Sequence, residues 1–440
     1  MKIEISPLTR LEGHAKVIIK LDERGQIESA KFMVLGFRGF EKILVGRPIE
    51  EAPRIASRIC GICQVAHSMA SAKAAENALQ ITSPEDAIRL RRIMHYAGII
   101  QSHLLHLIFL ALPDYLEFKA YNPLEMLLKE KPEIVKSTIT ARTLSQEIVE
   151  LTGGKSIHPV LNAVGGVLNS PDNEKYRKLV IKAKNLVKIL NEIVEKTEEI
   201  FYKKAEELRE IFEMNTLYIA LVNKNNVDFY EGELCIKNSN ILEKIPPDKY
   251  SSILTEKTIK HTYIKYPYVK TAAKEELTRV GPLARYNVSN IKTENNMLYY
   301  NISRLKECLQ LAEEIEKLVD RPFKEKPYTA ITFHEGEGVG VVEAPRGLLI
   351  HHYRCDEKGL ITKANIIVPT TINAPSIEES IKIVSARCIK NGNIDKEKLK
   401  YFIGLAVRSY DPCLSCATHT ETSAPLIKVV DYKGRVLALL

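Results

Sequence analysis

Two short cysteine motifs, one near each end of this 440-residue chain, carry the residues best suited to chemistry. The first is Arg-Ile-Cys-Gly-Ile-Cys-Gln-Val-Ala-His at 58–67, and the second is Asp-Pro-Cys-Leu-Ser-Cys-Ala-Thr-His at 411–419. Two sulfurs separated by two residues can face one ion, and two such pairs complete a four-thiolate set. Eight cysteines are too few for a disulfide framework in a chain of this length, so the pairs indicate metal or redox chemistry.

The spacing alone leaves the identity of the metal open. Cys60, Cys63, Cys413 and Cys416 could form a structural zinc site. Such sites usually join pairs a few tens of residues apart and stabilise a small module without a core, whereas 350 positions separate Cys63 from Cys413. The alternatives are a catalytic thiolate centre for nickel or iron and an iron–sulfur cluster.

Composition and charge exclude several classes of protein. The chain is 45% hydrophobic and 27% charged, with a net charge of +8 spread over interleaved acidic and basic residues. Without a compact basic block that contains aromatic residues, we expect no nucleic-acid partner. No apolar run reaches the roughly 18 residues of a membrane span, and the N-terminus lacks a signal-type apolar region. We therefore expect a cytoplasmic protein without a membrane span.

Both ends of the chain carry strand-like patterns. Residues 1–35 alternate apolar and polar side chains on either side of Asp22–Gly25, which predicts a hairpin. The short period returns over Tyr328–Val368, with predicted turns at Glu335–Gly340 and Asp356–Gly359. These segments predict β elements contributed by the N-terminal and C-terminal regions.

Helical patterns fill much of the rest of the chain. Shorter helices are predicted at Ala52–Arg58 and Ala66–Leu79. Ser83 is a candidate N-cap, with proline at the next position, for a helix that runs to about Leu112 and is ended by Pro113. Two further long helices are predicted at Asn173–Arg209 and Glu294–Val319.

Together these elements predict one α+β domain, mainly α with peripheral β. The three long helices would form a bundle at its core, and no flexible linker divides the chain. Residues 215–290 are mixed and allow no firm assignment.

The residues around the cysteines point to a family. Both motifs resemble the two signatures of the nickel–iron hydrogenase large subunit. Further motifs similar to those of the family occur in family order between residues 9 and 371. They are Thr9-Arg10-Leu11-Glu12-Gly13-His14, Arg38-Gly39-Phe40-Glu41, Gly153-Gly154-Lys155 with His158-Pro159, Glu343-Ala344-Pro345-Arg346-Gly347 and Val368-Pro369-Thr370-Thr371.

The resemblance implies an enzyme that cleaves dihydrogen reversibly and heterolytically at a nickel–iron centre. Cys60 and Cys413 would be terminal nickel ligands. Cys63 and Cys416 would bridge the nickel to an iron that carries two cyanides and one carbon monoxide. The thiolate of Cys413 would act as the base and pass its proton to Glu12, which matches the relay carboxylate of the family.

The resemblance also assigns residues around the metals. Arg346 matches a guanidinium poised over them, with Asp411 as its natural acidic partner and Asp114 as a second. Thr370 matches a group that hydrogen-bonds the cyanides, and His67 matches a donor to a bridging sulfur.

A magnesium site is expected from the same source, with Glu41, His419 and the backbone carbonyl of Ile366 as ligands. His158 lies in a family motif but is given no ligand role.

The resemblance further implies partners. The remaining cysteines, Cys235, Cys308, Cys355 and Cys388, match no motif, so we expect no iron–sulfur cluster on this chain. An iron–sulfur small subunit, together with further electron-transfer subunits, would carry the electrons away. The motifs look most like the cytoplasmic multisubunit archaeal type, either the methanogen enzymes that reduce the deazaflavin coenzyme or those that do not, with ferredoxin, heterodisulfide reductase or the deazaflavin coenzyme as acceptor.

Two other classes of function stay open at this point. A hydrogen-sensing regulatory protein would have the same metal site and very low turnover, and a non-catalytic zinc protein would bind zinc and no nickel.

The residues after His419 raise a question of processing. In the family a maturation protease cuts directly after the histidine of the second motif once nickel is in place. The resemblance therefore implies a mature domain of residues 1–419 and removal of residues 420–440. The alternative from local pattern is a permanent hairpin of Leu426–Val430 and Val436–Leu440.

Overall fold

Helices make up most of the fold in the computed structural model. It describes residues 2–117, 122–238, 241–270, 275–290, 292–323, 327–389, 395–418, 428–430 and 436–439. The helices are α1 (Phe40–Leu44), α2 (Ala52–Ala56), α3 (Gln64–Ala78), α4 (Glu85–Leu104), α5 (Leu112–Tyr115), α6 (Pro123–Glu130), α7 (Pro132–Gly153), α8 (Asn173–Glu207), α9 (Arg209–Phe212), α10 (Pro282–Ser289), α11 (Tyr299–Leu318), α12 (Pro369–Cys388), α13 (Lys396–Ser409) and α14 (Leu414–Ala417).

Strands surround this helical body in several small sheets. They are β1 (Lys2–Ile5), β2 (Ala15–Leu21), β3 (Ile27–Val34), β4 (Asn162–Ala163), β5 (Gly166–Val167), β6 (Leu217–Asn223), β7 (Asn226–Val227), β8 (Glu233–Asn238), β9 (Ile241–Ile245), β10 (Leu254–Thr258), β11 (Lys265–Lys270), β12 (Glu275–Glu276), β13 (Thr278–Val280), β14 (Gly336–Ala344), β15 (Gly347–Cys355), β16 (Ile361–Ile367), β17 (Lys428–Val430) and β18 (Val436–Leu439). The expected class, mainly α with peripheral β, is therefore confirmed.

Four long helices, α4, α7, α8 and α11, pack against one another as the central bundle. Three of them lie close to the predicted segments, but α11 begins at Tyr299 rather than Glu294. Helix α7 was not predicted. Polar residues such as Thr138 and Ser145 can be buried in it, because each hydroxyl donates to the carbonyl four residues earlier in the helix.

Two boundary predictions for α4 are wrong. The Ser83 hydroxyl does not cap the helix but donates to Glu76 Oε1 at 2.9 Å, and Pro84 is the residue that precedes the first turn. Pro113 does not end the helical segment either. A wider π-helical turn over Leu105–Ala111 follows α4, and Pro113 then lies in the first turn of α5, where a missing N–H is tolerated.

The segment Glu85–Tyr115 is long and apolar enough to span a membrane by length and composition. However, 83% of its most apolar window is buried inside the protein, which is the behaviour of a core helix.

The N-terminal prediction is confirmed and extended. Strands β2 and β3 pair as an antiparallel hairpin around the turn at Asp22, and β1 adds a third strand on the other side of β2. In the mixed region, β6 pairs with β8 and, in parallel, with β13.

A three-stranded antiparallel sheet, β14–β15–β16, lies on helix α3. The predicted turn at Asp356–Gly359 is confirmed, since Gly359 N–H donates to the Asp356 carbonyl. The turn predicted at Glu335–Gly340 is wrong, because strand β14 begins at Gly336. The glycines there serve close packing: Cβ atoms at Gly336, Gly338 and Gly340 would lie 2.0–2.2 Å from the backbone of α3.

This packing generates a stability prediction. In Gly338→Ala the new methyl would lie 2.2 Å from Ala78 N and 2.4 Å from Ala74 O, so strand and helix must separate. We expect the free energy of unfolding to fall by about 1–3 kcal/mol, measured by urea denaturation. Gly61→Ala is the control, because no atom of the described residues lies within 4 Å of its Cβ position. Equal stability of the two variants would contradict the packing argument.

Candidate metal centre

The first cysteine pair lies where α2 gives way to α3. A 3₁₀ turn over Ser57–Ile59 leads into Cys60, whose backbone is extended, and Cys63 directly precedes the first residue of α3. The backbone N–H groups of Ile62 and Cys63 point to Cys60 Sγ at 3.3 and 3.5 Å. N–H donors stabilise a thiolate, so the local turn already favours a metal-ligating sulfur.

The second pair lies at the start of α14, shortly after the end of α13. Asp411 takes a positive φ of 52°, which turns the chain so that Cys413 precedes the short helix that carries Cys416. The N-terminal segment runs alongside: Glu12 and Cys413 form a parallel bridge, and Leu414 N–H donates to the Glu12 carbonyl at 3.1 Å. The two ends of the chain thus meet at this site.

All four sulfurs of the two motifs converge. Their Sγ atoms lie within 4.8 Å of one another, and all four cysteines are buried and free of disulfide bonds. The sulfurs of Cys63 and Cys416 are 2.8 Å apart, and those of Cys60 and Cys413 are 3.4 Å apart. Soft, convergent thiolates fit nickel or iron, so the residues present suit the expected centre.

Burial and mutual hydrogen bonds set the protonation of these sulfurs. Burial raises the pKa of the Cys413 and Cys416 thiols well above the ordinary value, while hydrogen bonds from Cys413 and Cys416 lower the pKa of Cys60. Without metal the cluster therefore retains protons, and binding of a cation must displace them.

Comparison with known proteins identifies the family. A profile described as nickel-dependent hydrogenase matches residues 38–129 and 296–419, and a HoxL-like profile matches residues 2–37. One subunit of the F420-non-reducing hydrogenase of Methanothermobacter thermautotrophicus is 37% identical, over 99% of this chain and 98% of that protein. The chain belongs to the nickel-dependent hydrogenase family. It is a catalytic large subunit of the nickel–iron type.

Other relatives and solved structures agree. The beta subunit of the NAD-reducing hydrogenase HoxS of Cupriavidus necator is 33% identical over 99% of this chain and 98% of that protein. The crystal structure of an NAD⁺-reducing [NiFe]-hydrogenase in the H2-reduced state matches with a TM-score of 0.88 and 34% identity, over 95% and 99% of the two chains. The Ni-Fe-Se hydrogenase from D. vulgaris Hildenborough, 21% identical with a TM-score of 0.77 over 95% of this chain and 100% of that chain, shares the fold.

Glu12 lies beside the converged sulfurs of this hydrogenase. Its Oε2 accepts from Cys413 Sγ at 3.2 Å and from Ser415 N–H at 2.8 Å, and its Oε1 accepts from the Ser415 hydroxyl. The structure therefore brings the expected relay carboxylate into contact with the expected base.

Arg346 and Asp411 form a buried ion pair next to the cysteines. Arg346 Nε donates to the Asp411 carbonyl at 2.5 Å, and Nη2 lies 3.0 Å from Asp411 Oδ1, which also contacts His106 Nδ1 at 3.0 Å. Burial raises the pKa of Asp411, but Arg346 and His106 outweigh it and hold that pKa well below its ordinary value. Burial lowers the pKa of Arg346, but Asp411 and the cysteines outweigh it and raise that pKa well above its ordinary value.

Asp114, expected as a second partner of Arg346, lies in a different ion-pair cluster. Its carboxylate contacts the Arg10 guanidinium and accepts from Arg408 Nε at 2.5 Å. Arg10 also donates to the Leu110 carbonyl in the π-helical turn at 2.8 Å. The cluster joins the segment that carries Glu12 to helix α13, which leads to the second cysteine pair.

Thr370 and His67 both lie close to the cysteines. Thr370, in the first turn of α12, accepts from Cys413 N–H through its hydroxyl oxygen at 3.0 Å. His67 is buried on α3, and its Nδ1 lies 3.1 Å from His351 Nε2. His351 Nδ1 in turn lies 2.5 Å from the Tyr353 hydroxyl, which donates to Ser71 Oγ at 3.0 Å.

The expected magnesium ligands are described only in part. Glu41 is buried in α1, and its Oε1 accepts from Ile366 N–H at 2.8 Å. His419 lies outside the described residues.

Sequence reasoning missed several side chains that touch this site. Ser415 lies inside the second cysteine motif, and a hydroxyl between two cysteines of the cluster is the signal that could have found it. His351 follows the Arg346 motif closely, but its partner His67 is 284 positions away, so no local pattern links them. The contact of His106 with Asp411 could not be predicted either, because a histidine in an apolar helix is usually a hydrogen-bonded core residue without a site role.

Removal of a thiolate tests the ligand set. Cys60→Ser should reduce nickel per chain by roughly tenfold or more and abolish hydrogen uptake, because a hard hydroxyl is a poor substitute for a soft thiolate. Elemental analysis of the purified complex measures the nickel content. The same loss is expected when Cys63, Cys413 or Cys416 is replaced by serine. The matched control is Cys388→Ser, a partly exposed cysteine outside the cluster. Full nickel content in the Cys60 variant would contradict the assignment.

Proposed function

We propose that this chain splits dihydrogen at a nickel–iron centre held by the four buried cysteines. Cys60 and Cys413 would be terminal nickel ligands, and Cys63 and Cys416 would be shared with an iron that carries cyanide and carbon monoxide. The bound centre would supply the site where dihydrogen is polarised and gives up its electrons. The observation that carries this proposal is the contact between Glu12 and Cys413 within a four-thiolate cluster.

The protein's own residues would then move the proton. A proton held on Cys413 Sγ would pass to Glu12 Oε2, 3.2 Å away, as the S–H bond breaks and an O–H bond forms. The distance is suited to a direct transfer without an intervening water.

Arg346 would supply a fixed positive charge beside the thiolates. Two of its nitrogens are held by Asp411, and Nη1 donates to the Ser102 hydroxyl at 3.3 Å. A planar guanidinium held in this way favours the ionised form of nearby sulfurs and cannot lose its charge. Asp411 would therefore act through the orientation of Arg346.

Thr370, His67 and the magnesium site complete the proposed roles. The Thr370 hydroxyl hydrogen would bond a cyanide nitrogen while its oxygen accepts from Cys413 N–H. His67 would donate to a bridging sulfur. Glu41, the carbonyl of Ile366 and His419 would bind magnesium, an ion that prefers oxygen ligands and water.

The electrons would leave through an iron–sulfur small subunit, followed by further subunits. The relatives are named as subunits, and several are F420-non-reducing enzymes of methanogens. On that basis we place this chain with the deazaflavin-independent methanogen type in the cytoplasm, with ferredoxin or heterodisulfide reductase as acceptors. A nicotinamide acceptor is the second candidate, because the NAD-reducing relative matches over nearly the same length.

The small subunit would dock on an apolar face around the first cysteine motif. Two segments bonded to the approach to this motif carry large apolar side chains that are two-fifths exposed or more. One contains Arg38, whose guanidinium donates to the Ile59 carbonyl, and the other contains His158, whose ring bonds the Ser57 carbonyl. The exposed side chains are Leu35, Phe37, Ile43, Val45, Ile157 and Val160. An exposed apolar patch of this kind marks a protein interface. Its place beside Cys60 would bring a cluster close to the metals.

The relay is tested by Glu12→Gln. The amide retains the metals but cannot carry a proton, so exchange of dihydrogen with deuterated water should slow by roughly 10²-fold or more. Mass spectrometry of the gas phase measures the exchange, and nickel content is checked in parallel. Glu23→Gln, on an exposed turn, is the control and should behave as wild type. Unchanged exchange in Glu12→Gln would remove the carboxylate from the relay.

A separate measurement, viologen reduction by the wild type, distinguishes an enzyme from a hydrogen sensor, because a sensor would show very low turnover.

Two charged substitutions on the proposed docking face test whether the small subunit binds there. Phe37→Glu combined with Ile43→Glu should release the small subunit, since two carboxylates would be buried without partners. Affinity purification of the tagged chain, followed by iron analysis of what it retains, measures the loss. Ile181→Glu, on an exposed position of α8, serves as control. Normal co-purification of the double variant would show that the small subunit docks elsewhere.

We further propose that residues 420–440 are removed during maturation by cleavage between His419 and Thr420. Among the described residues of this tail, β17 and β18 pair as an antiparallel hairpin, which is compatible with a folded segment that is later released and also with a permanent one. Intact-mass spectrometry of active complex should find a chain that ends at His419. Fully active enzyme that still ends at Leu440 would defeat the proposal.

A further inference from the structure

Ser415 holds both carboxylate oxygens of Glu12. Its backbone N–H donates to Oε2 at 2.8 Å, and its hydroxyl donates to Oε1. The same Oε2 faces Cys413 Sγ at 3.2 Å. We propose that Ser415 is a positioning residue for proton transfer, whose hydroxyl fixes the rotation of the Glu12 carboxylate so that Oε2 faces Cys413. The inference rests on the proposed relay role of Glu12.

The backbone fixes where Glu12 lies but not how its carboxylate is rotated. Leu414 N–H donates to the Glu12 carbonyl at 3.1 Å, and a Cβ on Gly13 would lie 2.7 Å from Leu414 Cβ, so the two segments are in close register. The terminal torsion of a glutamate is broad and roughly two-fold. The Ser415 N–H alone would leave the carboxylate free to rotate about that one bond. The hydroxyl holds the second oxygen, so the two donors together fix the plane of the group and keep one oxygen towards Cys413.

Ser415 is itself held by groups other than Glu12. Its carbonyl accepts from the Arg38 guanidinium and from the Thr418 hydroxyl, the latter at 3.2 Å. Cys413 and Cys416, two residues before it and one after it, belong to the converged sulfur cluster. Ser415 is thus held in place independently of Glu12, and its two donors can orient the longer and more flexible glutamate side chain.

The test uses the complete enzyme complex and compares three variants. Ser415→Ala removes the hydroxyl and keeps the N–H, whereas Ser415→Thr keeps both donors. Ser409→Ala is the matched control, because the hydroxyl of this buried serine on α13 donates within its own helix, to the Leu405 carbonyl at 2.8 Å. Two rates are measured per nickel: para-to-ortho hydrogen conversion, which reports splitting, and exchange with deuterated water, which reports proton release.

The two rates separate a positioning role from a packing role. In Ser415→Ala we expect exchange with deuterated water to fall about tenfold relative to para-to-ortho conversion, with the infrared bands of the metal ligands unshifted. Ser415→Thr should recover most of the ratio, and Ser409→Ala should leave it unchanged. An unchanged ratio in Ser415→Ala would overturn the proposal, as would equal loss in the alanine and threonine variants.

The relay and the positioning role fail in different ways. If Glu12→Gln slows exchange and Ser415→Ala does not, only the positioning role is overturned. If Glu12→Gln leaves exchange unchanged, the relay is wrong and the positioning role falls with it. In the Glu12→Gln background, Ser415→Ala should cause no further loss, because it acts only through the carboxylate. An additional tenfold loss in the double variant would overturn the proposal.

Discussion

Four sulfur atoms from opposite ends of the chain lie within 4.8 Å of one another in a buried site, and this convergence constrains the rest of the structure. Burial raises the pKa of the Cys413 and Cys416 thiols well above the ordinary value, so without a cation these two retain their protons. The first pair is fixed to the start of α3 and the second to the end of α13. Everything that holds these two helices in place therefore also sets the geometry of the four sulfurs.

Buried ion pairs anchor the motif that carries Arg346 to the helical bundle. Arg285 on α10 contacts both Glu307 on α11 and Glu343 on β14 at 2.7 Å, and His103 on α4 contacts Glu307 at 2.9 Å. Burial raises the pKa of Glu307, but Arg285 and His103 lower it to about 2, so it is ionised at any physiological pH. Loss of one member of such a buried cluster typically costs about 3–5 kcal/mol. The position of the Arg346 guanidinium beside the cysteines thus depends on charges in the core.

Local signals were sufficient for part of this fold and site. The turn at Asp22–Gly25, the long amphipathic α8 and the four cysteines have short-range patterns, and each is found where the sequence predicts it. Contacts between distant segments were not predictable. The glycines of β14 resemble a turn because glycine is common in turns. Their packing against α3 could not be recognised, since that helix lies more than 250 positions earlier in the sequence. The prediction that Asp114 pairs with Arg346 is wrong for the same reason, since its actual partners, Arg10 and Arg408, come from both ends of the chain.

The order of layers around the sulfurs has a consequence for assembly. The segment Cys413–Thr418 is in contact with Glu12, while Arg38 N–H donates to the Thr418 carbonyl at 2.7 Å and the Arg38 side chain reaches the Ser415 carbonyl. Because a residue larger than glycine at position 13 would collide with Leu414, no space remains between these layers. All four cysteines are at most 6% exposed, so we expect a metal ion to reach them while the C-terminal segment is displaced. Helix α14 therefore closes the site on the side of the N-terminal segment, and we expect its packing there to follow metal binding.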